Sequence, residues 1–142
     1  MSRAWLAALS IALGAACASN PAPAGVSSAR CAAGDTALVR DVVYFGRNRP
    51  GGGTVSDAEW RQFLDQVFTP RFPAGLTVVE ATGQWQGQSG AVEQETSEVV
   101  TLLHSGNEAA VRALAEVVSE YKRRFQQEAV LRERTSTCAR FE

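Results

Sequence analysis

Four side chains of this sequence have the chemistry to bind a ligand. His104 is the only imidazole, and an imidazole can exchange a proton near neutral pH. Arg71 lies between two prolines, which fix the backbone φ angle and would hold the guanidinium in one direction, where it could bind a carboxylate bidentately. Tyr44 and Trp85 lie in predicted strands and could form an aromatic floor. These residues are our candidates for a ligand-binding site.

Each candidate also has a structural interpretation, which the sequence favours. A lone histidine at a strand end is usually a hydrogen-bonded structural group, and no acid or nucleophile lies near His104 in sequence. Arg71 could pair with Glu128 or Asp65, since structural ion pairs outnumber functional ones. Aromatic side chains dominate protein cores, so the tyrosine and the tryptophan could pack there.

Motifs for catalysis and for cofactor binding are missing from the sequence. Neither Ser89-Gly90 nor Ser105-Gly106 lies in G-x-S-x-G, and the glycines at 51–53 lack the lysine and hydroxyl of a phosphate-binding loop. The net charge of -1 gives no basic stripe for nucleic acid. We therefore predict no catalytic residue, no cofactor and no nucleic-acid partner, and consider an enzyme the less favoured class.

The N-terminus has the three parts of a signal peptide. Met1–Arg3 is positively charged, Ala4–Leu13 is apolar and Gly14–Ala16 consists of small residues. The apolar part is about half of the ~20 residues that a membrane-spanning helix needs. We therefore expect export, with residues 1–16 removed as a signal peptide.

Cys17 follows this segment directly and resembles the acylated cysteine of a bacterial lipobox, although Gly14 stands where leucine is usual. A lipid at Cys17 would make a membrane the partner of the N-terminus. The alternative is cleavage after Ala18, read from Ala16-Cys17-Ala18, which would release a soluble secreted protein. We favour the membrane-anchored lipoprotein, in the periplasm or on the outer surface.

Either route of processing leaves Cys31 and Cys138 as the remaining thiols. In an oxidising compartment they should form a disulfide. Two cysteines and one histidine fall short of a tetrahedral metal site, so we predict no metal. Residues 17–34, poor in large apolar side chains, should form a flexible tether, and 35–142 a single domain.

Hydrophobic periodicity predicts a strand, a helix, a β-hairpin, a second helix and a final strand. Capping boxes at Ser56/Glu59 and Ser105/Glu108 should begin the two helices. The predicted bounds are 38–45 for the first strand, 57–68 for the first helix, 75–85 and 93–104 for the hairpin, and 128–134 for the last strand.

This βαββαβ order predicts an α+β, ferredoxin-like domain in which two helices cover one face of a four-stranded antiparallel sheet. The first and third strands, with the most continuous apolar runs, should be central. A strand that is apolar on both sides implies that the second face is covered as well. A homodimer, a small ligand or the tether could cover it.

Several short motifs together resemble the bacterial domain-of-unknown-function family 3574, whose members are small exported or lipoprotein-like chains. The resemblance covers about residues 38–138 and implies a single exported domain without a transferable activity. The motifs are Tyr44-Phe45-Gly46, Ser56-Asp57-Ala58-Glu59-Trp60, the segment Thr69–Thr77, Gly83-Gln84-Trp85 and the segment Tyr121–Glu128.

Two functional hypotheses follow from these features. The first is a non-enzymatic binding or interaction module in the cell envelope, which uses the open sheet face for an envelope protein or small ligand. The second is a small enzyme of the dimeric α/β-barrel type, with Tyr44, Arg71, Trp85 and His104 in a pocket on that face. Only fold analogy supports the enzyme.

Mass spectrometry of the exported protein tests the N-terminal prediction. We expect the mature chain to begin at Cys17 and to carry the added mass of acyl groups, and Cys17→Ser to abolish that addition. An unmodified chain that begins after Ala18 would contradict the anchor but leave export in place.

Overall fold

The computed structural model describes residues 30–86 and 90–142. The predicted signal peptide, Cys17 and most of the predicted tether lie outside the described residues, as do residues 87–89 of the predicted hairpin turn. Within the described part of the chain, no helix is long and apolar enough to span a membrane.

The order of elements is βαββαβ, as predicted. The sheet order β2-β3-β1-β4 places the first and third strands in the centre, and every neighbouring pair is antiparallel. The ferredoxin-like prediction is therefore confirmed. The elements are β1 (Thr36–Gly46), α1 (Asp57–Phe63) with a π-helical turn (Leu64–Phe68), β2 (Thr77–Gln86), β3 (Val92–His104), α2 (Glu108–Phe125) and β4 (Leu131–Ala139).

The hydrophobic core lies between the helices and one face of the sheet. Phe45 of β1 lies at its centre, with ring centroids 4.8 Å from Tyr121 of α2 and 5.6 Å from Trp60 of α1. Aromatic pairs in such tilted and edge-on arrangements add to the stabilisation from burial. This cluster fixes both helices against the central strand.

The first helical segment has the predicted bounds, 57–68, but its last five residues form a π turn instead of α-helix. Ser56 and Glu59 form both hydrogen bonds of a capping box. After Phe63 the helix widens into a π turn, in which the Thr69 amide donates to the Leu64 carbonyl at 2.8 Å. Phe63 and Phe68 are both fully buried, although five residues of α-helix would separate them by about 140°. The wider turn brings both rings into the core.

The predicted capping box of the second helix is wrong. Asn107, not Ser105, caps α2, and its side chain accepts a hydrogen bond from the Ala110 amide at 2.9 Å. Gly106 has a φ of +71°, so the chain turns between the strand end and the cap. This turn places the helix start two residues later than the Ser105 box requires.

The last strand also differs, since it spans Leu131–Ala139 rather than 128–134. Gln126 ends α2 in the left-handed conformation, with φ of 57°, and residues 127–130 connect the two elements. Thr135, Ser136 and Thr137 were not included in the prediction, but their backbones pair with the first half of β1. Their residue types did not lead us to predict a strand, but pairing with β1 places them in one.

Cys31 and Cys138 form the predicted disulfide, with Cα atoms 5.5 Å apart. Cys138 lies opposite Ala37 in the β1–β4 ladder. By strand alternation it shares the helix-facing side of β4 with Arg132 and Arg134. The disulfide therefore attaches the first described residues to that side of the sheet, and it is consistent with an exported protein.

Asp41 of β1 is fully buried and forms the most complete ionic cluster of the described residues. Arg132 and Arg134 of β4 each bind it bidentately, with N–O distances of 2.9 to 3.0 Å. His104 Nε2 lies 2.8 Å from the second carboxylate oxygen, while its Nδ1 accepts a hydrogen bond from the Gly106 amide. Nε2 must therefore carry the proton that His104 donates to Asp41. Three strands meet at this one carboxylate.

The other face of the sheet carries no helix. On β1 this open face comprises the alternate residues Leu38, Arg40, Val42, Tyr44 and Gly46, whereas Val43 and Phe45 point into the core. Large apolar side chains of the open face remain exposed, by 57% for Val79 and 62% for Leu131. The sheet is thus apolar on the side that its own helices leave uncovered.

Replacing both cysteines by serine should lower the free energy of unfolding by about 2 to 4 kcal/mol, because the cross-link restricts a large loop of the unfolded chain. Urea unfolding with and without reductant measures the difference. The double variant should be insensitive to reductant, and an unchanged midpoint for the reduced natural chain would contradict the prediction.

Asp41→Asn should lower the free energy of unfolding by about 3 kcal/mol, since it leaves two partly buried guanidinium groups without their counter-ion. Urea unfolding with Asp65→Asn, an exposed site on the first helix, gives the matched control. A loss for Asp41→Asn no larger than that of the control would contradict the role of the cluster.

Candidate functional site

A cavity of about 500 Å³ opens at one end of the open face. This volume lies in the range of small-molecule sites. Its floor is the end of the sheet at which β1 stops, near Gly46. Its walls are the loop after β1 and the connection between α2 and β4. The lining residues that the site's chemistry depends on are Tyr44, Trp85, Glu93, Glu95, Asn48 and Gln127.

The β-hairpin formed by β2 and β3 supplies one side of the cavity. This hairpin extends beyond the end of β1, because β1 stops at Gly46 opposite Ser97 while β2 and β3 continue to pair as far as Gln86 and Val92. Trp85 pairs directly with Glu93 on this extension. The indole, 41% exposed, therefore lies beside a carboxylate.

Glu95 is held at the junction of the hairpin and the end of β1. Its Oε1 accepts a hydrogen bond from the Asn48 amide at 2.9 Å. A methyl group at Gly46 would lie 2.5 Å from both carboxylate oxygens, so the absence of a side chain there makes room for Glu95. Burial raises the pKa of Glu95, and the charge of Glu93 adds to the effect, while the Asn48 hydrogen bond opposes it.

Arg47 fixes the loop that forms the opposite wall. Its buried guanidinium donates to the Val55 carbonyl at 2.7 Å and forms ion pairs with Asp57 at the start of α1 and with Glu98 of β3. The Arg47 hydrogen bond lowers the pKa of Asp57. The arginine therefore links the loop after β1 to the start of α1 and to β3.

The α2–β4 connection closes the third side. Gln127 Nε2 donates to the Asn48 carbonyl at 2.6 Å, and the Tyr121 hydroxyl donates to the Gly46 carbonyl at 2.8 Å. These bonds hold the loop against the end of α2. The cavity walls are therefore preformed by hydrogen bonds of the chain itself.

Tyr44 lies on the cavity floor, at the centre of the sheet. Its hydroxyl donates to Glu133 Oε1 at 3.0 Å, and this hydrogen bond to a carboxylate raises the pKa of Tyr44. The phenol ring is left to line the cavity from below. Tyr44 and Trp85 thus line the same cavity, whereas the sequence favoured core packing for both.

The cavity is rich in negative charge. Glu93, Glu95 and Glu128 line it, and none of the three forms an ion pair within the described chain. Arg49 is the cation that lines it, but its guanidinium binds Glu59 at 2.7 Å and lies over the Phe125 ring. A concave surface with unbalanced charge of one sign attracts ligands of the other sign.

The structure does not bring the other two candidates to this cavity. His104 lies on the helix-facing side of β3, near the opposite end of the sheet, where it binds Asp41. Arg71 follows the first helix, where it donates to the Val67 carbonyl at 2.9 Å and pairs with Glu116 at 3.4 Å. Its partner is neither Glu128 nor Asp65, the two carboxylates that the sequence suggested.

The carboxylates of this site were not among the residues predicted from the sequence. Glu93 and Glu95 are two residues apart in a predicted strand, which places them on one face, and the hairpin pairs Glu93 with the candidate Trp85. That spacing was a usable signal. No sequence signal indicated the roles of Gly46 and Asn48, because both roles depend on the loop after β1 folding back against the hairpin.

Chemically, the site offers two aromatic surfaces, carboxylates and amide groups. Among residues 30–86 and 90–142 no three His, Cys, Asp or Glu side chains lie close enough to hold a metal ion. None of the described residues that line the cavity supplies an imidazole, a cysteine thiol or a lysine amine. The arrangement is suited to bind and orient a ligand.

Solved structures that are similar to this chain include two of a phage SAM lyase and one of CutA. A phage SAM lyase in complex with S-methyl-5'-thioadenosine has a TM-score of 0.58 at 14% identity and covers 80% of this chain and 95% of its own. The apo form of a phage SAM lyase has a TM-score of 0.51 at 15% identity, covering 82% and 98%. CutA from Synechococcus elongatus, complexed with Bis-Tris, has a TM-score of 0.48 at 10% identity, covering 74% and 86%.

At these identities the likeness extends to the fold alone. No curated protein matches the sequence. A family model does match, over residues 40–141, which is nearly all of the described domain. The resemblance that the short motifs indicated is confirmed, and the chain belongs to the family described as protein of unknown function DUF3574.

Proposed function

We propose that this protein is an exported, non-enzymatic binding module that takes a small organic cation in the cavity between Trp85, Tyr44 and Glu95. One observation carries the proposal. Glu95 is a partly buried carboxylate, held in place by the Asn48 amide and without a cationic partner in the described chain. A positively charged ligand would supply that partner.

Aromatic rings beside the carboxylate favour an organic cation over a metal ion. An ammonium or guanidinium group is attracted to the face of tryptophan and tyrosine rings, and its carbon substituents bury apolar surface against them. Trp85 and Tyr44 both line the cavity, and Gln84 and Gln127 offer hydrogen-bonding groups at its edge. The ligand class is therefore an amine or quaternary ammonium compound small enough for about 500 Å³.

Binding is favoured over the alternative, a small enzyme of the dimeric α/β-barrel type, by the position of the reactive groups. His104, the one imidazole of the chain, binds Asp41 in the interior, and Arg71 pairs with Glu116. An enzyme would need a general acid or base within hydrogen-bond reach of its ligand. Apart from Arg49, which binds Glu59, the titratable groups among the described cavity residues are the glutamates and Tyr44, and the pKa of Tyr44 is raised.

The envelope location belongs to the same proposal. The N-terminal sequence supports removal of residues 1–16 and acylation of Cys17, which would hold the domain at a membrane in the periplasm or on the outer surface. The Cys31–Cys138 disulfide supports folding in an oxidising compartment. A cation-binding module would there meet its ligand outside the cytoplasm.

Tryptophan fluorescence tests the ligand class directly. Trp60 is buried in the core and Trp5 lies in the predicted signal peptide, so a change on titration reports Trp85. We expect tetramethylammonium and spermidine to change the emission, and the neutral methyl glucoside to leave it unchanged. Binding should weaken as the pH falls through the raised pKa of Glu95, because protonation removes the attracting charge.

Glu95→Gln should weaken binding of these probes by about tenfold, which corresponds to about 1.4 kcal/mol. Glu108→Gln, at an exposed helix start remote from the cavity, should leave it unchanged. Equal affinity for the cations and the glucoside, or no loss in Glu95→Gln, would contradict the proposed ligand class.

A further inference from the structure

We propose that the open face of the sheet is covered by a second copy of this chain. The inference does not require a ligand in the cavity, because it rests on the exposed apolar residues of the open face, although some of them also line the cavity. Four large apolar side chains of this face are exposed by 41% or more in the single chain: Val79, Trp85, Leu103 and Leu131.

An apolar row crosses the whole sheet. Val79 of β2 pairs with Val99 of β3, Val99 pairs with Tyr44 of β1, and Tyr44 pairs with Leu131 of β4. These four side chains point to the open face at the same height. We call them the apolar row. Soluble monomers rarely expose a continuous apolar band of this kind.

The residues on either side of the apolar row are small or uncharged in the central strands. Val42 and Thr101 flank it on one side, and Gly46 and Ser97 on the other. Proteins that keep a sheet face in water place charged side chains there. The nearest charges on this face lie beside the apolar row: Glu133 opposite Val42 at the edge, Arg40 beyond Val42, and Glu95 beyond Ser97. The centre of the face is therefore smooth enough to pack against another sheet.

The area of the open face suits such an interface. Four strands spaced about 4.8 Å apart, with about nine residues each at about 3.3 Å, give a flat footprint of roughly 600 Å². Side chains make the accessible area larger than this footprint. A standard stable interface buries about 800 Å² on each partner, so a face-to-face contact of two sheets would be of the required size.

The N-terminal segment is a poorer cover for the same face. Residues 17–29 contain mainly Ala, Ser, Pro and Gly, with Val26 as their one branched apolar side chain. Such a composition buries little apolar surface. The preceding chain also joins the described domain at Cys31, which the disulfide attaches on the helix-facing side of β4.

A second copy matches the face because the apolar row is self-complementary. A two-fold axis running along the row places each of its side chains against the same row of the partner and reverses the strand direction. Two-fold contacts of this kind, in which both partners use the same patch, are the commonest in homo-oligomers. The partner would then border the mouth of the cavity, since Tyr44 and Leu131 belong to both features.

Sedimentation of the full exported chain carrying Cys17→Ser, which remains free of lipid, tests this inference. We expect a mass of at least two chains at micromolar concentration, and a single chain for the double variant Val79→Lys/Leu103→Lys. Both sites are exposed in the single chain and lie outside the cavity lining, so the variant should keep its circular dichroism and its response to cationic probes.

Phe141→Lys is the matched control, because Phe141 is fully exposed and lies beyond the end of β4. It should remain oligomeric. A natural chain that sediments as a monomer would overturn the inference, as would an oligomer that survives in the double variant. If the natural chain is a monomer, solvent labelling of Val79 can be compared with and without residues 18–29. A rise on deletion would identify the tether as the cover of the open face. Unchanged labelling would show that the open face is uncovered.

Discussion

The structure depends on a sheet whose two central strands are apolar on both faces while its own helices cover only one. On the covered face, Phe45 packs among the aromatic rings of α1 and α2. On the open face, Val42, Tyr44 and Val99 lie in the same two strands. Within residues 30–86 and 90–142 no further layer covers that face. The open face is therefore the surface to which we assign a partner in our proposal.

Two ionic clusters on the helix-facing side make this arrangement rigid. At one end Asp41 joins β1, β3 and β4 through two arginines and His104. At the other end Arg47 joins the end of β1 to β3 and α1. Each cluster fully engages its buried charge, which would otherwise be costly to bury. Together the two clusters stabilise the register of the strands. The cavity walls adjoin the end of the sheet that Arg47 cross-links.

Much of the fold could be predicted because it depends on local pattern. The unbroken apolar runs identified the two central strands, and the cysteine count identified the disulfide. The α2 cap, the π turn and the extension of β4 beyond residue 134 could not be predicted, since Gly106, Phe68 and Thr135 take their conformations from tertiary contacts. For the site, aromatic type made Tyr44 and Trp85 candidates, but the same property favoured core packing, and only the fold shows that both line the cavity.

The rest of the candidate site depended on distant residues. Arg71 and His104 have the right chemistry, but their positions follow from the first helix and from Asp41, neither of which the local sequence reveals. Conversely, Glu95 looks like an ordinary strand residue until the loop after Gly46 folds back onto it. The role of a buried charged residue depends on its hydrogen-bond and ion-pair partners. These partners are distant in sequence, so they are known only once the fold is known.

Hydroxyl-radical footprinting of the purified, exported protein tests most directly whether the open face is a binding surface. Leu131 is 62% exposed and Phe141 fully exposed in the single chain, so an isolated domain would react at both. We predict that Leu131 and Leu103 are protected while Phe141 is modified at the rate of an exposed side chain. Modification of all three at that rate would show that nothing covers the open face and would contradict its proposed role.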